Sequence, residues 1–92
     1  MLESQLEGKA VAEAKRRGIL TYKFSSPSNR GVPDRIFIWR GKVFFIEFKA
    51  PGKTPTALQE REHDRINRQG VPVFIADDLP TVLNIFTVAT QT

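Results

Sequence analysis

Apolar residues recur along this chain with two different periods, and the change of period separates helices from strands. Residues 3–17 carry apolar side chains at helical spacing, whereas residues 19–25 and 43–49 alternate with a period of two. The predicted elements span residues 3–17, 19–25, 34–39, 42–49, 55–69 and 71–76, with a last helix capped by Asp77 or Asp78. The order is therefore α-β-β-β-α-β-α. The helix between the third and fourth strands is a crossover, so we expect those two strands to lie parallel in a mixed sheet.

The second and third strands are separated by Arg40-Gly41, a sequence suited to a two-residue hairpin turn. In such a hairpin the numbers of paired residues sum to about 81, which puts Asp34 opposite Glu47. Lys49 lies two positions beyond Glu47 on the same face of its strand. Two neighbouring carboxylates repel each other unless a cation lies between them. The pattern therefore predicts a site for a hard divalent ion such as Mg²⁺, with an ammonium group beside it.

The helix that follows offers two interpretations for Gln59. The segment from Thr56 to Gln59 has the sequence of a capping box, which would make Gln59 a structural residue. A helix that instead begins at Thr54-Pro55 would direct Gln59 and His63 towards the sheet. We interpret His63 as a partly buried, hydrogen-bonded residue rather than as a catalyst.

The first helix contributes a further acid on its apolar side. Glu7 precedes Val11 by four positions and Ala14 by seven, so it shares their face. It could reach a metal ion or merely favour the helix dipole, and Glu3, one turn earlier, could take the same role.

Size and composition restrict the class of protein. Ninety-two residues form one domain, 1–92, and the chain has no cysteine and a single histidine, so a zinc site of the usual ligand count is not expected. No apolar run approaches the length of a membrane span and the N-terminal residues include acids. We expect a soluble, cytoplasmic protein that makes no membrane contact.

The charge is basic, with 14 Lys and Arg against 10 Asp and Glu, a net charge of +4 and a pI near 9.9. Such a balance favours polyanions, nucleic acid first among them. The residues predicted to contact DNA are Lys23, Ser25, Ser26, Asn29, Arg30 and Lys53. Arg61, Arg65 and Arg68 form a stripe on the long helix, but nearby acids make a solvated, ion-paired face the preferred interpretation.

These residues resemble a known family. Residues 31–34 (GVPD) together with Glu47-Phe48-Lys49 resemble the PD-(D/E)xK motif, and the longer strings 31–35 and 47–52 with Gln59 are similar to the VRR-NUC (virus-type replication-repair nuclease) branch. The resemblance implies a restriction endonuclease-like αβββαβ core and Mg²⁺ or Mn²⁺ as cofactor. It also implies roles for six positions: Asp34, Glu47 and the Phe48 carbonyl as metal ligands, Lys49 and Gln59 as catalytic residues, and Glu7 as the acid of the first helix.

The predicted function is a metal-dependent endodeoxyribonuclease that hydrolyses DNA phosphodiesters. Relatives of this branch imply a homodimer acting on branched DNA, with four-way (Holliday) junctions as the preferred substrate. Three alternatives remain open at this point: a nuclease on flaps, single strands or nicked duplex, a catalytically silent DNA-binding module of the same fold, and a nuclease-like protein that binds a protein partner.

Overall fold

The structure is a computed structural model that describes residues 1–91. Its elements are α1 (Glu3–Arg16), β1 (Leu20–Lys23), β2 (Arg35–Trp39), β3 (Lys42–Phe48), α2 (Ala57–Arg68), β4 (Val73–Ala76) and α3 (Leu79–Ala89). The strands form one sheet in the order β1-β2-β3-β4, with antiparallel pairing except between β3 and β4. The predicted α/β fold with a mixed central sheet flanked by helices is confirmed.

The hairpin of β2 and β3 has the predicted turn and register. Arg40 and Gly41 have φ angles of 47° and 82°, the left-handed conformation that a type I′ turn requires at both central positions. Arg35 pairs with Ile46, so the numbers of paired residues sum to 81 as predicted. The turn thus fixes which side chains of the two strands face each other.

The main core lies on one face of the sheet, beneath α1 and α3. Alternation along β3 directs Phe44, Ile46 and Phe48 to this face, where they pack with the buried residues of both helices. The same alternation sends Phe45 and Glu47 to the opposite face, which α2 covers in part. Because β3 is buried on both faces, its C-terminal end delivers Glu47 into the interior between the sheet and α2.

Several predicted boundaries are wrong, for physical reasons. β1 ends at Lys23 rather than at Ser25, although the Phe24 amide still donates to the Asp34 carbonyl in the register of the two strands, because the polar loop that follows makes no further pairs with β2. The prediction of a helix beginning at Pro55 is wrong: Thr56 is the N-cap, and its hydroxyl accepts a hydrogen bond from the Gln59 amide. Asp78 caps α3.

In the part of the chain that the structure describes, no helix combines the length and the apolar character that a membrane span requires.

Candidate active site

The hairpin brings the two predicted acids to one end of the sheet. Asp34 directly precedes β2, and continuing the register of the hairpin by one pair sets it opposite Glu47. One Asp34 oxygen, Oδ2, accepts a hydrogen bond of 2.8 Å from the backbone amide of Phe48. Glu47 is 2% exposed, whereas Asp34 is half-buried. Of the two acids, Glu47 therefore lies deeper in the protein and Asp34 is the more accessible.

The loop before Asp34 is held against the start of α2. Gly31 has a φ of +85°, and a Cβ at this position would lie 2.8 Å from the Leu58 carbonyl oxygen. Only glycine combines this backbone conformation with so close an approach. Pro33, two residues on, is fully buried. Residues 31–34 thus fix the position of Asp34 relative to the helix that carries Gln59.

Gln59 joins the helix cap to the acidic pair. Its Oε1 accepts from the Thr56 amide at 3.0 Å, which completes the capping box, and also from Lys49 Nζ at 2.7 Å. Its Nε2 donates to Glu47 Oε2 at 3.1 Å. Lys49 Nζ lies 3.4 Å from the same Glu47 oxygen. The capping-box interpretation of Gln59 therefore holds, and the same side chain also bridges Lys49 to Glu47 although the helix does not begin at Pro55.

Burial, together with the charge of neighbouring acids, raises the pKa of both carboxyl groups. Burial first, and then the negative charge of Asp34, raise the pKa of Glu47 to about 7, and Lys49 only partly opposes this rise. The pKa of Asp34 is also raised, first by burial, although the hydrogen bond from Phe48 favours the charged form. Near neutral pH this end of the sheet is thus an attractive position for a cation.

Comparison with known proteins identifies the family. A solved structure described as a VRR_NUC domain superimposes with a TM-score of 0.86 at 28% sequence identity, covering 95% of this chain and 96% of the other. The protein named "Putative nuclease p44", from Acyrthosiphon pisum secondary endosymbiont phage 1, is 44% identical over 84 residues, which are 88% of this chain and 90% of that protein. The chain belongs to the VRR-NUC family. No family model matches it.

In this VRR-NUC domain the acid of the first helix is engaged in ion pairs. Glu7 Oε2 accepts from Arg35 Nε at 2.7 Å and from Lys23 Nζ at 2.8 Å. Burial alone would raise the pKa of Glu7, but these two cations lower it overall. The carboxylate is ionised and close enough to Asp34 to raise the pKa of that residue. Its service as a metal ligand stays a prediction and would require these pairs to rearrange.

The residues predicted to contact DNA lie around the loop and at the same end of the domain. Ser25, Asn29, Arg30 and Lys53 are exposed. Ser26 and Asn29 line a groove of about 500 Å³ between the loop and α2, to which Arg65 and Arg68 also contribute. These two arginines pair with Glu62 and Asp64. Their ion pairs agree with the interpretation of a solvated charged face.

Two contacts near the site were not predicted from the sequence. Arg35 was noted only as part of a sequence string, yet its guanidinium binds Glu7 on the face of the sheet opposite to Asp34. His63 was interpreted as a hydrogen-bonded residue, but its Nε2 faces Glu47 Oε1 at 3.8 Å without a hydrogen bond. The alternation of β2 and the four-residue spacing from Gln59 to His63 are the sequence signals that indicate these positions.

Proposed function

We propose that this VRR-NUC domain is an endonuclease that uses Mg²⁺ or Mn²⁺ to hydrolyse phosphodiester bonds in DNA, with four-way junctions as its preferred substrate. One observation carries the proposal: two neighbouring carboxylates, both with a raised pKa, stand beside an ammonium group at one end of the sheet. Such pairs lower the stability of the fold, so their presence favours a functional role. Groups with a perturbed pKa are typical of catalytic sites.

The donors present fit a hard cation. Asp34 and Glu47 would hold the ion, with the Phe48 carbonyl as a third ligand. Among residues 1–91 no three or more His, Cys, Asp or Glu side chains form a group that could hold a metal ion, so the side-chain ligands of the proposed site would be these two carboxylates. Mg²⁺ binds through one or two carboxylates and completes its octahedron with water and substrate phosphate oxygens. When bound, the ion would polarise the phosphoryl group and acidify a water molecule.

Lys49 and Gln59 are the other two residues of the proposed catalytic site. The Lys49 ammonium is held between Gln59 Oε1 and Glu47 Oε2, and its side chain is only 12% exposed. A positive charge fixed at this point can orient the attacking water or neutralise the charge that develops on the phosphate. Gln59 bonds to both groups and so holds the ammonium beside the carboxylate. It therefore supports the two reacting groups rather than reacting itself.

Charge supports a polyanionic substrate. The net charge of +4 attracts DNA, and the exposed side chains Arg30 and Lys53 flank the acidic pair in sequence. We propose that they contact the phosphate backbone, together with Lys23, Ser25, Ser26 and Asn29.

A homodimer would match the symmetry of a four-way junction, because two symmetric cuts require two sites. β1 is an edge strand whose Leu20 and Tyr22 are 49% and 57% exposed on one face. An apolar edge strand can pair with a second copy of the chain, and we propose this association. Light scattering should give about twice the mass of 10.4 kDa, and Tyr22→Glu should give the monomer. A monomeric wild-type protein at micromolar concentration would contradict the proposal.

Cleavage assays on a panel of four-way junction, flap, single-stranded and duplex DNA test the activity. We expect the junction to be cut in Mg²⁺ or Mn²⁺ and not in EDTA, and Lys49→Met to lower the rate by roughly 10²–10³-fold. The matched control is Lys9→Met, which alters an exposed lysine of α1 and should leave the rate unchanged. Preferential cutting of flaps or single strands would refute the junction preference. Intact DNA throughout the panel with either metal would refute the nuclease.

A further inference from the structure

Two buried polar atoms near the acidic pair face each other without a partner. Glu47 Oε1 and His63 Nε2 are 3.8 Å apart, and within residues 1–91 they are the buried side-chain nitrogen and oxygen atoms that lack a hydrogen bond. The two residues are 2% and 5% exposed. Since buried polar groups are almost always hydrogen-bonded, a mutually facing pair of exceptions calls for a functional explanation.

The other oxygen of Glu47, Oε2, has partners. It accepts a hydrogen bond from Gln59 Nε2 and lies near Lys49 Nζ, so only Oε1 lacks a donor. His63 follows Gln59 by one helical turn and points to the same carboxylate from the same face of α2. The helix therefore presents one donor group to each oxygen of Glu47.

The separation favours a direct hydrogen bond over a bridging water. A water that accepts or donates at about 2.8 Å on both sides separates its partners by roughly 4.5 Å, which is more than the gap observed here. Closing the gap from 3.8 Å to the usual 2.9–3.0 Å needs a movement of less than about 1 Å. The Nε2–H donor exists in one neutral tautomer of histidine and in the protonated form, so the contact does not depend on the charge of the ring.

We propose that His63 is a positioning residue, whose Nε2–H donates to Glu47 Oε1 and holds the carboxylate in the orientation that binds the divalent ion. This inference rests on the proposed function, because it concerns the geometry of the same metal site. Groups that orient a ligating carboxylate determine how well it binds its metal, and their removal costs roughly 10–100-fold in metal affinity.

The role predicts a large loss of metal affinity and only a modest change in stability. In His63→Leu the buried Glu47 Oε1 loses the donor proposed for it, so the metal-free protein should unfold at the same or a lower temperature than the wild type. Its dissociation constant for Mn²⁺ should rise roughly 10–100-fold, whereas a residue that only fills space would change the stability alone. His63→Gln keeps an N–H donor near the position of Nε2, and its Mn²⁺ affinity should stay within a few-fold of the wild type. A residue that only fills space would leave the affinity unchanged in both variants.

Calorimetric titration with Mn²⁺ in the absence of DNA, and thermal unfolding in EDTA, measure the two effects separately. Asp34→Asn serves as the reference for loss of the metal site. If the wild type binds Mn²⁺, Asp34→Asn does not, and His63→Leu binds as tightly as the wild type, the positioning role is wrong and the metal site stands. If the wild type itself binds no Mn²⁺ at millimolar concentration, the metal site and the role of His63 are both refuted.

Discussion

Asp34→Asn is expected to lower metal-dependent DNA cleavage by at least about a thousandfold, which corresponds to roughly 4 kcal/mol of lost transition-state stabilisation. The substitution removes the charge of the more accessible carboxylate, and with it one of the two acids available to hold the cation. It should leave the fold intact, because the Phe48 amide donates to Asp34 Oδ2 and the side-chain oxygen of asparagine can accept the same bond. Single-turnover cleavage of a four-way junction with saturating Mg²⁺ measures the effect.

Binding of the same DNA separates loss of chemistry from loss of substrate. Asp34→Asn should bind the junction in EDTA at least as well as the wild type, since one negative charge near the phosphates has been removed. Asp64→Asn alters an exposed acid that pairs with Arg68 on α2, and it should cleave at the wild-type rate. Cleavage by Asp34→Asn within tenfold of the wild type would mean that this carboxylate is not a required metal ligand.

The hairpin is the part of the site that the sequence predicts most completely. A two-residue turn leaves only one register, and side-chain alternation then decides which residues share a face. Arg40-Gly41 therefore suffices to bring Asp34 and Glu47 together, and the observed pairing follows the predicted sum. The hairpin alone does not determine the position of Gln59; the pattern of the following helix singles out this residue, and the family resemblance implies its catalytic role.

The start of α2 shows why helix boundaries are harder to predict. Thr54-Pro55 and Thr56 both offer plausible caps, and the choice depends on tertiary contacts that local sequence does not contain. The close contact between Gly31 and Leu58 joins the loop to the first turn of the helix. With the cap at Thr56, Gln59 closes the capping box and still reaches Lys49.

Long-range ion pairs escape prediction for a related reason. Helical periodicity correctly turns Glu7 inward, but it does not tell which side chains of the sheet meet it there. Lys23 and Arg35 are twelve positions apart and belong to different strands, and only the pairing of β1 with β2 makes them neighbours. The sequence therefore indicates an inward acid, and the fold determines that two cations surround it.

Glu47→Gln is expected to stabilise the metal-free protein above neutral pH while abolishing cleavage. The pKa of Glu47 is raised from 4.5 to about 7 in the folded state. Between these values the folded chain keeps a proton that the unfolded chain has released, so the free energy of unfolding falls as pH rises from about 4.5 to 7. At pH 8 the free-energy cost of the buried, ionised Glu47 carboxylate is at its full value. Glu47→Gln removes this cost and should raise the free energy of unfolding by about 1–3 kcal/mol, or the melting temperature by roughly 5 °C or more.

Thermal unfolding from pH 4.5 to 8, in EDTA or in Mg²⁺, measures how much the Glu47 charge lowers the stability and how much a bound cation restores it. The wild type should lose stability across the range and regain it with Mg²⁺, because a ligand that binds only the folded state stabilises it. The stability of Glu47→Gln should fall less steeply with pH, a fall that Asp34 causes, and should respond little to Mg²⁺.

The control is Glu60→Gln, which alters an exposed glutamate of α2 and should behave as the wild type. A Glu47→Gln protein less stable than the wild type at pH 8 would show that the charge of Glu47 does not destabilise the metal-free fold. The contacts of Glu47 with Gln59 and Lys49 would then stabilise the fold by more than burial of the charge costs.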